Sequence, residues 1–288
     1  MFRIRDVLGP STPQVTAVIV GAAEVADEGF DPQRIIAERS LGTIVGFEPD
    51  RQACDALNAK GGAHRFFPYF VGDGSERTFY RTAWPVASSL YKPNEPLLRK
   101  FQGLVEWTRE EEQKVVRTVR LDDIPEVKDA DYLMIDVQGA ELDVLRGAAA
   151  TLSHVVLAQI EVEFAPLYED QPLFGDVDRH LSASGFRLHK MPAMMGPPFR
   201  PLLRKDGKFW PISQVLWADA IYARDFMRLE DLPPRKLLAL ATLIHELYES
   251  VDFAAVVLRA HDKKTGSQFW RRYVTAVVGQ PPPDDFED

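Results

Sequence analysis

An alternation of strand-like and helix-like segments near the start of the chain most strongly limits how it can fold. Short apolar runs rich in β-branched residues stand at 15–20, 43–47 and 66–71, with amphipathic stretches between them. Gly21 and Ala22 follow the first run as a small-residue turn. Continuous apolar runs of this kind are typical of parallel strands that are buried on both faces. Their alternation with helices predicts an open, mostly parallel sheet with helices on both faces.

The same pattern continues to residue 224 and then changes. Apolar runs predict further strands at 115–121, 132–136, 155–164, 186–189 and 214–222. Amphipathic stretches predict further helices at 139–152 and 177–184. From Pro233 onwards the apolar residues follow helical spacing only. We therefore predict an α/β domain over 1–224, a helical extension over 225–280 and a disordered acidic tail over 281–288.

Charge and cysteine content narrow the classes of function. The 288 residues include 34 Lys and Arg against 43 Asp and Glu, a net charge of −9 that argues against a nucleic-acid partner. Cys54 is the single cysteine, which excludes an internal disulfide and a cysteine-based zinc site. No signal peptide and no apolar stretch of about 18 residues stands out, so we expect no membrane association and a cytoplasmic location.

Small and acidic residues follow four of the predicted strands. In open α/β sheets, ligands bind at the carboxyl ends of the strands. A small residue after the first strand lets the backbone approach a ligand closely. An acid after the second suits two ribose hydroxyls, and an acid after the third can accept from an adenine amino group. Any one of these acids could be a solvated loop residue, so the prediction of a ligand site rests on the ordered set. The set is Gly21–Ala22, Glu48–Pro49–Asp50, Gly72–Asp73 and Asp136.

Five segments in this order and spacing resemble the FkbM-type methyltransferases. They are Ile44–Asp50, Gly72–Asp73, Ser88–Leu90, Arg120–Ile124 and, with the greatest specificity, Asp131–Gly147. The similarity spans roughly residues 15–191. It implies a class I methyltransferase Rossmann-like fold, S-adenosylmethionine as cofactor, and methylation of a hydroxyl on a small molecule, sugar or glycan.

The resemblance also implies roles for individual residues. Gly21 and Ala22 would line the turn against the amino-acid part of the cofactor, and Glu48 would hold the ribose. The adenosine pocket would be shaped by the remaining strand-end residues, which are Pro49, Asp50, Val71, Gly72 and Asp73. Asp136 would lie near the transferred methyl group.

Transfer of a methyl group to a hydroxyl needs alignment and a base or a metal. Asp136 is the leading candidate for the base, although a purely structural strand-end carboxylate explains it equally well. Glu163 shares one face of a predicted strand with Gln159 and Glu161, and it is expected to point into the site unless an Arg or solvent pairs with it. Glu141 is a third candidate, but its place in a first helical turn favours a helix-dipole role. We expect no metal, although Asp136 with Glu163 has the chemistry to bind a divalent ion.

Departures from the family pattern keep a second function open. Ile19 and Val25 stand where Asp and Gly are usual, Gln138 where Glu is common and Met134 where Lys is common. The alternative is therefore a non-catalytic Rossmann-type module that binds a nucleoside-like ligand or a protein partner. The apolar stripes of the helical extension pack on the core by default, and a homodimer contact through them is a further hypothesis.

Overall fold

The computed structural model describes residues 2–22, 31–205 and 209–283. Its strands are β1 (Val15–Val20), β2 (Gly42–Phe47), β3 (Arg65–Phe67), β4 (Glu76–Thr82), β5 (Glu110–Arg117), β6 (Tyr132–Ile135), β7 (Leu157–Glu163), β8 (Phe186–Lys190), β9 (Met194–Met195) and β10 (Trp217–Arg224). Its α-helices are α1 (Arg5–Leu8), α2 (Pro32–Glu38), α3 (Arg51–Ala59), α4 (Glu95–Leu98), α5 (Leu104–Trp107), α6 (Glu141–Arg146), α7 (Ala149–His154), α8 (Phe174–Ala183), α9 (Pro234–Tyr248), α10 (Val251–Thr265) and α11 (Phe269–Val278).

The main sheet has the strand order β3-β2-β1-β6-β7-β10-β8, with β9 paired to β10. The five strands from β3 to β7 are parallel, whereas β10 runs antiparallel to both of its neighbours. The strand order reverses at β1, which lies between β2 and β6. This confirms the predicted mostly parallel α/β sheet, and it places the expected ligand crevice at the carboxyl ends of β1, β2 and β6.

Helices cover both faces of the sheet, because successive side chains of each strand point to opposite sides. Val18 and Val20 of β1 pack in a core with residues of α6, α7 and α8. Ala17 and Ile19 of the same strand pack in a second core with residues of α2, α3, α9 and α10. Both faces of β1 are therefore buried, as its continuous apolar run predicts.

The helical extension belongs to the second core. Twelve of the fifteen residues of α9 are buried, and α9 contacts β7 and α2. The hydroxyls of Tyr132 on β6 and Tyr248 on α9 lie 2.7 Å apart. The apolar face of α9 is thus covered within the chain itself. Both the domain boundary near residue 225 and the homodimer contact stay predictions.

Three predicted elements were wrong in extent. The third strand ends at Phe67 rather than at residue 71, since Pro68 has no N–H for the ladder. The helix expected over 139–152 is two helices, separated at Gly147, where a Cβ would lie 2.1 Å from the Gly72 carbonyl oxygen. β5 covers 110–117 instead of 115–121, because it pairs with β4 in a polar hairpin outside the main sheet.

Two other expectations fall partly or wholly outside the described residues. Val25 lies in the undescribed stretch 23–30. The acidic residues 284–288 of the expected tail are also outside the description, and only 281–283 are included.

A lipid bilayer could not be crossed by any helix in the described part of the chain, since each is too short or too polar.

Candidate functional site

The turn after β1 is held against the end of β6. Gly21 has a φ of +86°, and a Cβ at this position would lie 1.9 Å from the Asp136 carbonyl oxygen. The Asp136 N–H donates to the Val20 carbonyl at 3.0 Å. Only glycine tolerates both the positive φ and the close approach of the Asp136 carbonyl. Gly21 therefore lets the ends of β1 and β6 come into contact.

A cleft of about 500 Å³ opens at this edge of the sheet. Its volume lies within the range of about 300–1,000 Å³ that is usual for small-molecule sites. Six of the predicted cofactor residues line it, namely Gly21, Glu48, Pro49, Asp50, Val71 and Asp136. Ala22, Gly72 and Asp73 are not among the lining residues. The structure therefore brings residues from the carboxyl ends of β1, β2 and β6 together, as expected.

The acids after β2 have different partners. The Glu48 carboxyl is buried and accepts from the Asp50 N–H at 2.8 Å. Asp50 caps α3 by accepting from the Ala53 N–H at 2.8 Å. Capping of a helix N-terminus explains Asp50 without a ligand, whereas Glu48 presents a buried carboxyl at the cleft wall.

Asp73 turns towards its own loop. Its Oδ1 accepts from both the N–H and the hydroxyl of Ser75, at 2.9 and 2.5 Å. The hydrogen bond from the Ser75 hydroxyl is the main cause that lowers the Asp73 pKa. Gly72 donates its N–H to Val119 at 3.0 Å. Both residues build the loop beside Val71.

Aromatic rings form one wall of the cleft. Phe47 and Tyr69 stack at a centroid distance of 6.3 Å, and Phe70 meets Phe79 edge-on at 4.9 Å. All four residues line the cleft, and Tyr69 is 39% exposed. A flat apolar wall of this kind suits a planar ring.

The β4–β5 hairpin and the first part of the segment that connects its two strands close the other side. Arg81, Glu112 and Lys114 of the hairpin contribute charged groups to the lining, and Ser88 adds a hydroxyl. The hairpin is anchored because Asp143 of α6 accepts from Arg77 at 2.7 Å and from the Tyr91 hydroxyl at 2.8 Å.

Four carboxyl groups gather at the cleft floor and behind it. Asp136 is partly exposed and lines the cleft, whereas Glu141, Glu161 and Glu163 are buried and do not line it. Glu161 and Glu163 lie on one face of β7, as the alternation of the sequence predicts. The structure therefore brings all three predicted catalytic residues into one cluster, but only Asp136 faces the cleft.

Gln138 links this cluster. Its Nε2 donates to Asp136 Oδ1 at 2.9 Å and to Glu161 Oε2 at 2.6 Å. Its φ is +58°, an uncommon conformation for a side chain other than glycine. The Ser89 hydroxyl donates to its carbonyl at 2.5 Å, and the Tyr168 hydroxyl lies 3.1 Å from its Oε1.

Glu141 and Glu163 have different surroundings. Glu141 Oε1 accepts from the N–H groups of Val137 and Gly139, at 2.9 and 3.2 Å, so it fixes the loop between β6 and α6. Glu163 lies beside the Gln171 side chain, whose Nε2 is buried without a hydrogen-bond partner among the described residues. These contacts favour a structural role for Glu141, in agreement with the helix-start interpretation.

Burial raises the pKa of every carboxyl in the cluster. It raises the pKa of Glu141 to about 8. The pKa values of Glu161 and Glu163 rise well above the ordinary value, because neighbouring carboxylates add to the effect of burial. Burial also raises the pKa of Asp136. The cluster therefore retains protons at pH values where exposed carboxyls have lost theirs.

Oxygens of Asp136, Glu141 and Glu161 lie within 4.8 Å of one another, a spacing that a metal ion could fill. However, an amide N–H of Gln138 points at two of these three groups. An N–H donor cannot coordinate a cation. The cluster as built is thus a hydrogen-bonded set of carboxyls.

The role of Gln138 and that of the aromatic wall were not predicted from the sequence. Gln138 stood out only as a departure from the family pattern, and that departure was the available signal. Tyr69 and Phe70 follow Pro68 in what was predicted to be strand, and no local pattern distinguishes them as lining residues.

The sheet order, its antiparallel β10 and the cleft at the strand ends define a class I methyltransferase Rossmann-like fold. The model of the methyltransferase FkbM domain matches residues 20–188. The chain therefore belongs to the FkbM methyltransferase family.

The chain is also similar to a curated methyltransferase and to solved structures of methyltransferases. The chain is 28% identical over 159 residues to the 2-O-methyltransferase NoeI of Sinorhizobium fredii, a match that covers 50% of this chain and 63% of that protein. Magnesium protoporphyrin IX methyltransferase of Synechocystis PCC 6803, solved with bound S-adenosylmethionine, is 11% identical with a TM-score of 0.37, over 77% of this chain and 76% of the other. A 16S rRNA (adenine(1408)-N(1))-methyltransferase of Catenulisporales acidiphilia is 13% identical with a TM-score of 0.35, over 78% and 92%.

Proposed function

We propose that this protein is an S-adenosylmethionine-dependent O-methyltransferase that acts on a hydroxyl of a small molecule, sugar or glycan. The observation that carries the proposal is the cleft in which Gly21, Glu48 and Asp136 meet at the carboxyl ends of three neighbouring strands. Family membership supports the class of reaction. The relative named as a 2-O-methyltransferase supports oxygen as the acceptor atom.

The lining residues fit the parts of this cofactor. The Glu48 carboxyl has the chemistry to accept hydrogen bonds from two ribose hydroxyls. Tyr69 and Val71 offer apolar surface for an adenine ring, with Pro49 and Asp50 at the same wall. Gly21, with Ala22 behind it, leaves room for the amino-acid part. Gly72 and Asp73 remain proposed as adenine contacts from the loop beside Val71.

Asp136 is the proposed base. When bound, the cofactor supplies an electrophilic methyl group on a sulfonium. A carboxylate oxygen of Asp136 accepts the proton of the acceptor hydroxyl, and Gln138 holds that carboxylate in place. Arg81, Glu112 and Lys114 at the rim offer donors and acceptors that suit a polyhydroxylated acceptor.

Calorimetric titration with S-adenosylmethionine and S-adenosylhomocysteine tests the cofactor site. Replacing Glu48→Gln removes a charged hydrogen-bond acceptor, a loss worth about 1.5–3 kcal/mol, so binding should weaken by roughly 10- to 100-fold. Asp55→Asn, an exposed residue of α3 outside the cleft, is the matched control and should bind as the unchanged protein does. Equal binding by both variants would contradict the assignment of Glu48.

Turnover tests the reaction itself. The protein and cofactor are incubated with a panel of sugars and glycans, and products are checked by mass spectrometry for the gain of one methyl group. Loss of a general base lowers turnover by about 10²- to 10⁴-fold, so Asp136→Asn should do the same while S-adenosylhomocysteine still binds. Undiminished turnover in this variant would exclude Asp136 as the base.

Ile19 favours a second candidate, a module that binds a nucleoside-like ligand or a protein partner without catalysis. Its side chain is 1% exposed and packs in the core, so the position offers no acid to the cofactor. Cofactor binding without methyl transfer to any acceptor in the panel would support this candidate.

A further inference from the structure

Two carboxyl groups lie close together at the cleft floor. Oxygens of Asp136 and Glu161 lie within 4.8 Å of each other, and the Gln138 amide donates to both side chains. Two negative charges at this separation repel each other, and the burial of Glu161 weakens their hydration. The pair therefore holds one proton and carries a single negative charge.

The groups around the pair strengthen its hold on that proton. Glu141 approaches from the start of α6, Glu163 lies further along β7, Asp219 faces Glu161 from β10, and the Tyr168 hydroxyl lies beside Gln138. All of these are acidic or neutral groups. Within the described residues, neither Asp136 nor Glu161 forms an ion pair with Lys, Arg or His. Nearby like charges and burial both disfavour a second negative charge on the pair.

The two members of the pair differ in their access to ligands. Asp136 lines the cleft, whereas Glu161 is 8% exposed and lies behind it, joined through the Gln138 amide. A cation that enters the cleft therefore meets Asp136 first. S-adenosylmethionine carries a sulfonium charge that its demethylated product lacks, so the two ligands bring different charges to the same carboxyl.

We propose that the Asp136–Glu161 pair gives up its shared proton to solvent when S-adenosylmethionine enters the cleft, and keeps it when S-adenosylhomocysteine binds. The inference rests on the proposed function. The carboxyl O–H bond breaks, and the proton passes to water or buffer. Both carboxyls then carry a negative charge, that of Asp136 at the cleft and that of Glu161 behind it. The pair thereby distinguishes the charged cofactor from its neutral product and leaves Asp136 ionised as a base.

Calorimetry in buffers of different ionisation enthalpy counts the protons released. The slope of the apparent binding enthalpy against the ionisation enthalpy of the buffer gives the number of protons released per ligand. Near neutral pH, this number should be about 0.5–1 for S-adenosylmethionine and about zero for S-adenosylhomocysteine. The affinity for S-adenosylmethionine should rise by up to about tenfold per pH unit over the range where the pair titrates, while that for the product stays flat. Equal proton counts for the two ligands would overturn the proposal.

Variants identify the group that holds the proton. Glu161→Gln keeps an oxygen that accepts from Gln138 but cannot titrate. The difference between the two ligands in the number of protons released should therefore fall at least by half. Glu169→Gln, an exposed residue paired with Lys92, is the control and should retain the full difference. Loss of the difference in Glu141→Gln but not in Glu161→Gln would assign the proton to Glu141 and overturn the proposal. A thermal melt checks that each variant is folded. The comparison of the two ligands on the unchanged protein tests the proposal even if a variant fails to fold.

Two further results separate this inference from the proposed function. Absence of binding by both ligands would reject the cofactor site, and the proton release with it. Binding of both with equal proton counts would reject only the proton release. Tight binding of Mg²⁺ alone with release of a proton would show a metal site instead of a proton-sharing pair, and would also overturn the proposal.

Discussion

Asp131 shows that a residue of a family motif can act through structure alone. It opens the segment Asp131–Gly147, lies at the start of β6 and is fully buried. Its carboxylate accepts from Arg235 at 2.6 and 2.9 Å, from Lys236 at 2.7 Å and from the Thr16 N–H at 3.0 Å. These partners lower its pKa despite its burial. Asp131 therefore ties β1 and β6 to the first turn of α9, at the end of the strands away from the cleft.

Replacing Asp131→Asn should lower the free energy of unfolding by about 3 kcal/mol, because two cations lose the charge that compensates them. Urea unfolding followed by circular dichroism measures the change. The exposed neighbour Asp129→Asn serves as control and should change stability by less than about 0.5 kcal/mol. A similar small change in both variants would show that the buried pairs contribute nothing.

Single residues were predictable where their role depends on position along a strand. The carboxyl ends of β1, β2 and β6 could be located from local pattern, and six of the nine proposed cofactor residues line the cleft. Asp73 was harder, because its carboxyl is taken by Ser75, two residues away. The bridge made by Gln138 depends on the pairing of β6 with β7, which a local pattern does not contain.

At the scale of elements, α9 acts as part of the sheet's covering layer. It buries six large aliphatic side chains, which are Leu237, Leu238, Leu240, Leu243, Ile244 and Leu247. Each contributes about 1.5–3 kcal/mol when removed from water. Together they match or exceed the 5–15 kcal/mol by which a typical domain is stable.

A chain that ends at Asp225 should therefore fail to fold cooperatively, although the sequence places a boundary there. Without α9 and α10, the apolar face of β6 and β7 loses most of its cover, and α2 and α3 remain on the side of β1 and β2. The expected result is aggregation, or a broad thermal transition in place of a sharp one, measured by calorimetry and size-exclusion chromatography. A chain that ends at Gly266 retains α9 and α10 and is the matched comparison. A sharp transition in the shorter chain would show that 1–224 is an independent domain.

Elements were predictable when they belong to the main sheet, since burial on both faces leaves a continuous apolar run. The β4–β5 hairpin is separate from that sheet, and seven of the eight residues of β5 are exposed. Because most of its residues are polar, the sequence predicted only the end of this strand, from residue 115 onwards. The helix break at Gly147 follows from its close approach to Gly72, a contact between positions 75 residues apart that local periodicity cannot report.

For the whole molecule, the buried carboxyls make stability depend on pH. Burial raises the pKa of Glu141 from its ordinary 4.5 to about 8. Below pH 4.5 both the folded and the unfolded chain hold this proton. Between these two values only the folded chain holds it, so folding loses free energy as the pH rises and the loss levels off above about 8.

We expect the free energy of unfolding to fall by roughly 1–4 kcal/mol from pH 5 to pH 8 because of this group. Urea unfolding at a series of pH values measures the slope. Glu141→Gln keeps an oxygen for the Val137 and Gly139 N–H groups but does not titrate, so its slope should be smaller. Glu126→Gln, an exposed control, should keep the original slope. An identical slope in both variants would contradict the prediction.

The packing of α9 on β6 and β7 also sets an order of events during synthesis. About 100 residues separate the end of β6 from the start of α9, and a ribosome adds roughly 5–20 residues per second. One face of these strands therefore waits about 5–20 s for the helix that covers it. Contacts over such long sequence separations form slowly, and exposed apolar strands aggregate. The nascent chain is thus expected to need chaperone protection until α9 has left the ribosome.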